Sequence, residues 1–299
     1  MGMGRALFEA SAAARQVFER ADAALGWSIS KLCFEGPESD LVLTKNTQPA
    51  IVTTSLAALA ALREALPDLP APAFAAGHSL GEYSALVAAG ALSLEDAVRL
   101  VHLRGKSMQD AVPEGRGAMA AIMGGDADMV RALCEEHAGG EVVQPANFNA
   151  PGQIVIAGSA DAVARVSRAA QDRKLKAIAL KVSAPFHCAL MQPAARAVEK
   201  ALEDITIAPL AFPVVSNVEA SANDGAQRVP ELLVRQIDSP VLWDRSVVHM
   251  ADAGVTRALE IGPGKVLAGL VKRIDKRIQV MSLSEPDAIG PVREFLAAG

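Results

Sequence analysis

The sequence predicts an α/β protein built from a parallel-sheet body with a small α+β subdomain inserted into it. The chain has 299 residues, which exceeds a single domain of roughly 150 residues and leaves room for a second unit. Hydrophobic residues make up 51% of the chain and aromatic residues only 4%. The core is therefore built mainly from Ala, Val, Leu and Ile, as in helices packed on a sheet. Short apolar runs alternate with helical periodicity along most of the chain.

The first part of the body is expected to consist of helices around one short strand. Its predicted elements are helix 7–24, helix 50–65, strand 73–76, helix 80–90 and helix 94–108. Apolar residues at three- and four-residue steps define the first helix, and Gly26 ends it. Pro49 is expected at the first position of the second helix, where its missing N–H costs nothing.

The stretch 114–184 has a different order of elements and predicts the inserted subdomain. Its expected elements are strand 118–123, helix 126–137, strand 141–146, strand 153–157, helix 159–171 and strand 177–182. This β-α-β-β-α-β order is the ferredoxin-like pattern. The body is then discontinuous, with residues 1–113 and 185–299 forming one hydrolase-like catalytic unit.

After the insert, the chain returns to the alternation of helices and strands that predicts the α/β body. The expected elements are helix 190–202, strand 213–217, helices 229–236 and 244–253, strand 257–261 and helix 266–274. This alternation favours a sheet covered by helices.

Charge and cysteine content exclude several classes of protein. With 29 basic and 34 acidic residues the net charge is −5, which gives no electrostatic footprint for nucleic acid or an anionic membrane. No apolar run approaches the roughly 18–20 residues of a membrane-spanning helix, and a secretory signal is not expected. Cys33, Cys134 and Cys188 are widely spaced. We therefore expect no disulfide framework, no bound metal and a cytoplasmic location.

The motif Gly77-His78-Ser79-Leu80-Gly81 follows a predicted strand and precedes a predicted helix. In a G-x-S-x-G of this kind the serine lies on a sharp turn with its hydroxyl exposed, which is the arrangement of a nucleophile. We expect glycine on either side because a Cβ there would clash. The backbone N–H of Leu80 lies at the helix N-terminus and can donate to a developing oxyanion. The alternative is an ordinary strand-to-helix turn.

A serine hydroxyl needs a base, and the chain has five histidines, at positions 78, 102, 137, 187 and 249. His187 lies in a loop between a predicted strand and a predicted helix, so it is the candidate base. His78 is adjacent to Ser79 and points elsewhere, and the other three are expected to be structural or at the surface. No acidic residue stands out between Ser79 and His187. A dyad with the imidazole oriented by a main-chain carbonyl is the simplest arrangement.

Arg104 is the candidate binding residue for an anionic substrate. A guanidinium is always charged and is suited to bidentate binding of a carboxylate. The competing interpretation places Arg104 at the end of a helix, as a cation favoured by the helix macrodipole.

Taken together, these motifs resemble malonyl-CoA:acyl carrier protein transacylases of bacterial fatty acid synthesis. The resemblance runs from position 4 to position 283 in the same order. The matching segments are Gly77-His78-Ser79-Leu80-Gly81-Glu82-Tyr83, Arg104-Gly105 with Met108-Gln109, Asn147-Phe148-Asn149 with Pro151-Gly152-Gln153, Phe186-His187 and Gly262-Pro263-Gly264. The resemblance implies a hydrolase-like body, a ferredoxin-like insert and an active site in the cleft between them.

The resemblance also implies roles for individual residues. Ser79 would be the nucleophile, His187 the base, and Arg104 the partner of the malonyl carboxylate, while Gln236 would offer its backbone carbonyl to Nδ1–H of the histidine. Gln48 and Asn149 match positions that line the family's cleft. Phe186, directly before His187, resembles the pattern of malonyl-selective relatives, in which the ring would crowd a 2-methyl branch on the acyl group.

The implied reaction transfers a malonyl group from malonyl-CoA to the phosphopantetheine thiol of acyl carrier protein, through a malonyl-serine intermediate and a ping-pong order. It serves fatty acid or polyketide synthesis. The partners are acyl carrier protein and malonyl-CoA or CoA, without a bound cofactor, and we expect a monomer. Two alternatives stay open at this point. One is a serine esterase or thioesterase, and the other is a carrier-protein-binding module without catalysis.

Relatives begin with a strand and a Gly-Gln-Gly-Ser-Gln turn, ahead of a segment like Gly2-Met3-Gly4-Arg5. The first Gln of that turn contributes a second oxyanion N–H. The sequence therefore predicts that the first strand of the body is missing from this chain. Either translation starts upstream of Met1, or activity and stability are reduced, since losing one oxyanion donor lowers kcat by about 10² to 10³.

Overall fold

The computed structural model describes residues 1–297. Helices account for most of the described elements. The α-helices are α1 Arg5–Ala10, α2 Ala12–Leu25, α3 Ile29–Glu35, α4 Glu38–Leu41, α5 Thr44–Ala65, α6 Gly81–Ala88, α7 Leu94–Asp110, α8 Ala127–His137, α9 Ala160–Asp172, α10 Gln192–Leu202, α11 Val229–Asp238, α12 Trp243–Asp252, α13 Val266–Ile274 and α14 Ile289–Ala297. The strands are β1 Ala75–Ala76, β2 Gly117–Met123, β3 Val143–Ala150, β4 Gln153–Ser159, β5 Lys176–Ala179, β6 Val214–Val215, β7 Ala222–Asn223, β8 Arg257–Ile261 and β9 Gln279–Leu283.

The strands of the body form two small sheets instead of the one parallel sheet that the sequence predicts. In the first sheet, β1 pairs in parallel with β6, and the two-residue strand β7 pairs antiparallel with β6. In the second, β8 and β9 run parallel over five residue pairs. The described architecture is a mixed α/β protein. The hydrolase-like arrangement of the body stays a prediction.

The stretch between Gly117 and Ala179 folds as one antiparallel sheet with two helices. The strand order is β3-β4-β2-β5, which agrees with the β-α-β-β-α-β pattern of the sequence. The unit has an apolar core of its own, formed where α8 and α9 cover the sheet. That core consists of Ala120, Ile122, Val130, Leu133, Cys134, Val143, Phe148, Ile154, Ile156, Ala162, Val163, Val166 and Ala170. The domain limits at 114 and 184 stay a prediction.

Two helices of the body differ from the prediction for local reasons. The first predicted helix is divided at Ser11, where the backbone is extended and Oγ caps α2 by accepting from Ala14 N–H at 3.0 Å. Pro49 is inside α5 and not at its first position. A proline in a helix leaves the carbonyl four residues earlier without its donor. His102 supplies a replacement, since its Nδ1 lies 2.8 Å from the carbonyl oxygen of Lys45.

Helices α5 and α7 approach each other closely, and their contact positions two residues of the site. A Cβ on Gly105 of α7 would lie 2.6 Å from the carbonyl oxygen of Thr44 in α5. Only glycine allows this approach. It brings Arg104, next along α7, within reach of Gln48 on α5. No helix within residues 1–297 is long and apolar enough to cross a membrane.

Candidate active site

Ser79 lies on a sharp turn between β1 and α6 in strained backbone, with a φ of 51°. A non-glycine residue in this left-handed region is uncommon and is typical of functional turns. Gly77 is required here, because a Cβ on it would lie 2.0 Å from the backbone carbon of Gly81. The expectation that Gly81 also avoids a clash is wrong, since a Cβ on Gly81 would meet open space. A side chain at position 81 would therefore fit without a clash.

Hydrogen bonds from Asn217 and Gln236 hold the strained turn. The N–H of Ser79 donates to Asn217 Oδ1 at 2.6 Å, and Asn217 Nδ2 donates to the Gly77 carbonyl at 2.7 Å. Gln236 Nε2 donates to the Ser79 carbonyl at 3.0 Å. The sequence does not predict a role for either side chain. The available signal is that Asn217 closely follows β6, the parallel neighbour of β1, and carboxyl ends of parallel strands meet at one edge.

Leu80 places a free backbone donor beside the serine. Its N–H lies at the start of α6, and no acceptor within residues 1–297 pairs with it. The next amides are occupied, since Gly81 N–H donates to the His78 carbonyl and Glu82 N–H to the Ser79 carbonyl. A free N–H at a helix N-terminus is where negative charge is stabilised.

The imidazole of His187 lies in hydrogen-bond contact with the serine. Its Nε2 lies 2.7 Å from Ser79 Oγ, and its Nδ1 lies 2.8 Å from the backbone oxygen of Gln236. A carbonyl can only accept, so Nδ1 carries the proton and Nε2 is left as the acceptor of the serine proton. The backbone of His187 is also left-handed, with a φ of 59°. The structure thus brings Ser79, His187 and the Gln236 carbonyl together.

The pKa of His187 is lowered to about 3, first by burial and then by the charge of Arg104. Both causes disfavour the imidazolium cation. The ring is therefore neutral at pH 7, which is the state that can accept a proton. Glu82, the one buried carboxylate among residues 1–297, bonds Gln236 and not the imidazole.

Arg104 is buried in the middle of α7, with 1% of its surface exposed. The competing interpretation of a cation at a helix end is therefore wrong. Its Nη2 donates to Ser79 Oγ at 2.9 Å and to Gln236 Oε1 at 2.9 Å, and its Nη1 donates to Gln48 Oε1 at 2.7 Å. All three acceptors are uncharged, and the buried Nε has no partner among residues 1–297. Arg104 forms no salt bridge with any carboxylate in the same range.

The remaining predicted residues line or support this site in different ways. Gln48 is buried and holds Arg104 as described. Asn149, on β3 of the inserted unit, lies with Oδ1 2.8 Å from His78 Nε2. That bond links the serine turn to the inserted unit, and burial lowers the pKa of His78. Phe186 is half-buried directly before His187.

The other histidines have structural contacts. His102 caps the carbonyl that Pro49 leaves free, as described above. His249, expected at the surface, is half-buried with its ring 5.9 Å from that of Phe74 in an edge-on arrangement. Neither residue contributes to the serine site.

A hydroxyl bonded to a neutral imidazole, next to a free N–H at a helix start, is the arrangement of a serine nucleophile that forms acyl intermediates. Such an arrangement is characteristic of the class of serine-dependent acyl transfer enzymes. Residues 1–289 match the family model described as the acyl transferase domain. The chain belongs to this family.

Two relatives that align with the chain over most of their length have the same name. The chain is 46% identical over 293 residues to the malonyl CoA-acyl carrier protein transacylase of Bacillus subtilis strain 168, covering 97% of this chain and 91% of that protein. It is 47% identical over 281 residues to the protein of the same name from Escherichia coli strain K12, covering 94% and 90%. The resemblance found in the motifs is therefore confirmed.

Solved structures agree with the sequence relatives. The malonyl CoA-acyl carrier protein transacylase from Coxiella burnetii superposes with a TM-score of 0.95 at 39% identity, covering 98% of this chain and 93% of that one. A malonyl-transacylase in complex with a type II polyketide acyl-carrier protein gives a TM-score of 0.93 at 42% identity, covering 99% and 95%.

Proposed function

We propose that the protein transfers a malonyl group from malonyl-CoA to the phosphopantetheine thiol of acyl carrier protein, through a malonyl ester on Ser79. The observation that carries this proposal is the buried guanidinium of Arg104, 2.9 Å from Ser79 Oγ and without a carboxylate partner within residues 1–297. Burying an unpaired charge is costly. A site that does so next to the nucleophile is complementary to an acyl group with a free carboxylate. The names of the relatives agree with malonyl as that group.

The first half-reaction forms the acyl enzyme. Nε2 of His187 takes the proton of Ser79 as Oγ bonds to the thioester carbonyl carbon. The carbonyl oxygen becomes an oxyanion, to which the Leu80 N–H donates. The carbon–sulfur bond then breaks, and His187 returns the proton to the departing CoA thiolate. Ser79 is left as a malonyl ester and His187 is neutral again.

The second half-reaction runs the same steps with a different thiol. The pantetheine thiol of the carrier protein gives its proton to His187 and attacks the ester carbonyl. The bond between the carbonyl carbon and Ser79 Oγ breaks, and Oγ recovers the proton from His187. The carrier protein leaves with malonate in thioester linkage.

Arg104 connects substrate binding to the basicity of His187. In the free enzyme its charge helps to keep the pKa of His187 low. A malonyl carboxylate bound to the guanidinium offsets that charge, so the pKa of His187 rises when the substrate is in place. The imidazolium that forms during the attack on the thioester is then less unfavourable.

Supporting roles follow from the contacts around Arg104 and His187. Gln48 orients the guanidinium, and the backbone carbonyl of Gln236 orients the imidazole. Phe186 would crowd a 2-methyl branch and favour malonyl over methylmalonyl. Asn149 would line the cleft from the inserted unit, where the carrier protein's pantetheine arm enters. A hydrolase-like body, a monomeric state and a cytoplasmic location are further parts of this proposal, and the chemistry requires no bound cofactor.

The test is to follow a malonyl group after mixing the protein with radiolabelled malonyl-CoA. We expect the peptide containing Ser79 to gain one malonyl group, and the label to pass to holo acyl carrier protein much faster than to water. Release mainly as free malonate would instead support a hydrolase. If Ser79 gains no label, with or without the carrier protein, both the transferase and the hydrolase are contradicted. That result would favour a binding module without catalysis.

A further inference from the structure

Glu82 is a buried carboxylate that none of the steps above uses. It lies in the first turn of α6, three residues after the nucleophile, and only 3% of its surface is exposed. An acidic residue in the first turn is often explained by the helix macrodipole alone. A macrodipole effect does not require burial, however, so this side chain calls for another explanation.

The carboxylate of Glu82 joins two segments that are distant in the sequence. Its Oε2 accepts from Gln236 Nε2 at 2.7 Å and from the backbone N–H of Asn217 at 3.1 Å. One oxygen therefore receives two donors, one from α11 and one from the segment that follows β6. Arg104 and Tyr83 are the ionisable groups whose charges act on it or respond to it.

Both donors act directly on the reacting pair. Asn217 holds the serine turn at the Ser79 N–H and the Gly77 carbonyl. Gln236 holds the Ser79 carbonyl with its side chain and Nδ1–H of His187 with its backbone oxygen. Glu82 is thus the common acceptor of two groups, of which Asn217 holds the serine turn and Gln236 holds both the serine and the histidine.

The reacting residues need such support because both have left-handed backbones, Ser79 at a φ of 51° and His187 at 59°. Strained conformations of this kind persist only where surrounding contacts impose them. A displacement of about 1 Å at the reacting atoms can lower the rate about a hundredfold. The Ser79–His187 distance of 2.7 Å leaves little room for such a displacement.

We propose that Glu82 is a positioning residue, whose Oε2 fixes Asn217 and Gln236 and thereby sets Ser79 Oγ against Nε2 of His187. The proposal deepens the acyl transfer proposed above, and its malonyl readout depends on that function. What matters in it is the location of an acceptor oxygen and not the negative charge. If Glu82 acted through the macrodipole or through charge alone, the negative charge would matter and the exact location of the oxygen would not.

Three substitutions separate location from charge. Glu82→Gln keeps an oxygen in the same place without the charge, and Glu82→Asp keeps the charge but withdraws the oxygen by one methylene. Glu82→Ala removes both. Leu86→Ala, one turn further along α6 and also buried, is the matched control for lost packing in the same helix.

Two single-turnover rates are measured on each variant, and each is divided by the fraction of protein whose Ser79 can be labelled at completion. One is acylation by malonyl-CoA, and the other is labelling by a fluorophosphonate, which reports the reactivity of Ser79 without a malonyl group. Melting temperatures identify variants that fail to fold. If the wild-type protein reacts with the fluorophosphonate but not with malonyl-CoA, the proposed function is contradicted. The role of Glu82 is then still tested by the fluorophosphonate rates of the variants.

We expect Glu82→Gln to react within about threefold of wild type in both assays, and Glu82→Asp and Glu82→Ala to react at least about 30-fold more slowly per active site. Leu86→Ala should lower the melting temperature and leave the rate per site unchanged. The inference is overturned if Glu82→Asp is as fast as Glu82→Gln. It is equally overturned if Glu82→Ala loses no more rate per site than Leu86→Ala does.

Discussion

The body and the inserted unit bury different kinds of side chain. Thirteen polar or charged residues are buried within residues 1–297, and only Asn147 among them lies in the inserted unit between Gly117 and Ala179. The body buries a carboxylate, a guanidinium and an imidazole within one hydrogen-bonded network, around Glu82, Arg104 and His187. The inserted unit has an apolar core beneath an antiparallel sheet.

This difference assigns separate tasks to the two regions. Buried polar networks and left-handed backbones reduce stability, and they are retained where chemistry needs them. The inserted unit follows the ordinary rules of packing and reaches the serine turn through the bond between Asn149 and His78. We therefore expect substitutions in the body site to change rates, and substitutions in the core of the inserted unit to change stability alone.

The largest expected effect is on the nucleophile. Ser79→Ala should lower malonyl transfer by at least about 10⁴-fold, since removing a nucleophile from a serine–histidine pair eliminates the covalent route. Ser84→Ala is the matched control, because Ser84 lies on α6 with a buried hydroxyl that has no partner among the described residues. Initial rates of carrier protein malonylation check both variants. A Ser79→Ala protein with a tenth of wild-type activity would place the nucleophile elsewhere.

The two glycines of the serine motif should differ sharply in stability. Gly77→Ala places a methyl group 2.0 Å from the backbone of Gly81, and we expect a loss of more than about 4 kcal/mol in the free energy of unfolding. Gly81→Ala meets open space and should change it by less than about 1 kcal/mol. Urea unfolding measures both. Equal losses would show that the turn is packed differently from the structure described here.

A smaller effect is expected in the pH dependence of stability. Burial raises the pKa of Glu82 to about 7 from its ordinary 4.5. Between these values the folded protein keeps a proton that the unfolded chain has lost, so this group's contribution falls as pH rises. Glu82→Gln lacks that contribution. Its unfolding free energy relative to wild type should therefore increase by up to about 3 kcal/mol from pH 4.5 to 7 and then level off.

Urea unfolding of wild type and Glu82→Gln at a series of pH values measures this difference. His187 has the opposite dependence, because its lowered pKa costs stability as pH falls below 6.5, but it is present in both proteins and largely cancels. A difference between the two proteins that is flat from pH 4.5 to 7 would contradict the buried, proton-retaining state of Glu82.

The smallest effect on activity is expected in the core of the inserted unit. Leu133 on α8 is fully buried there, so Leu133→Ala should cost about 2–5 kcal/mol of unfolding free energy. The acylation rate per labelled active site should stay within about threefold of wild type, since distant sites act independently. A larger loss per site would mean that the inserted unit takes part in setting the catalytic geometry, and the division of tasks would fail.

The sequence predicts the parts of this site that depend on local pattern. The strand–turn–helix around Ser79 follows from the glycine spacing, and β8 and α13 have the predicted bounds. The backbone carbonyl of Gln236 is expected only because of the family resemblance. The two-residue strand β7 was not predicted, since two residues are too few to show a period of alternation.

The hydrogen bonds of Glu82 to Asn217 and Gln236 are not predictable from the sequence, because the partners are distant in the chain. Glu82 and Gln236 are 154 residues apart, and Glu82 and Asn217 are 135 apart. No local periodicity relates such positions. Pro49 shows the same limit in the fold, since the carbonyl of Lys45 that it leaves without a donor is met by His102 from another helix. The competing interpretation of Arg104 as a helix-end cation fails because α7 continues beyond Arg104, and Gly105 is a close-packing contact inside it.

The central claim is that Arg104 binds the free carboxylate of the acyl group beside Ser79. The most direct test compares malonyl-CoA with acetyl-CoA as acyl donor for wild type and Arg104→Ala. Because acetyl has no carboxylate, we expect malonyl acylation to fall by about 10² to 10³ and acetyl acylation by less than about tenfold. Equal losses for both acyl groups would contradict the carboxylate role and leave Arg104 only as a structural partner of Ser79, Gln48 and Gln236.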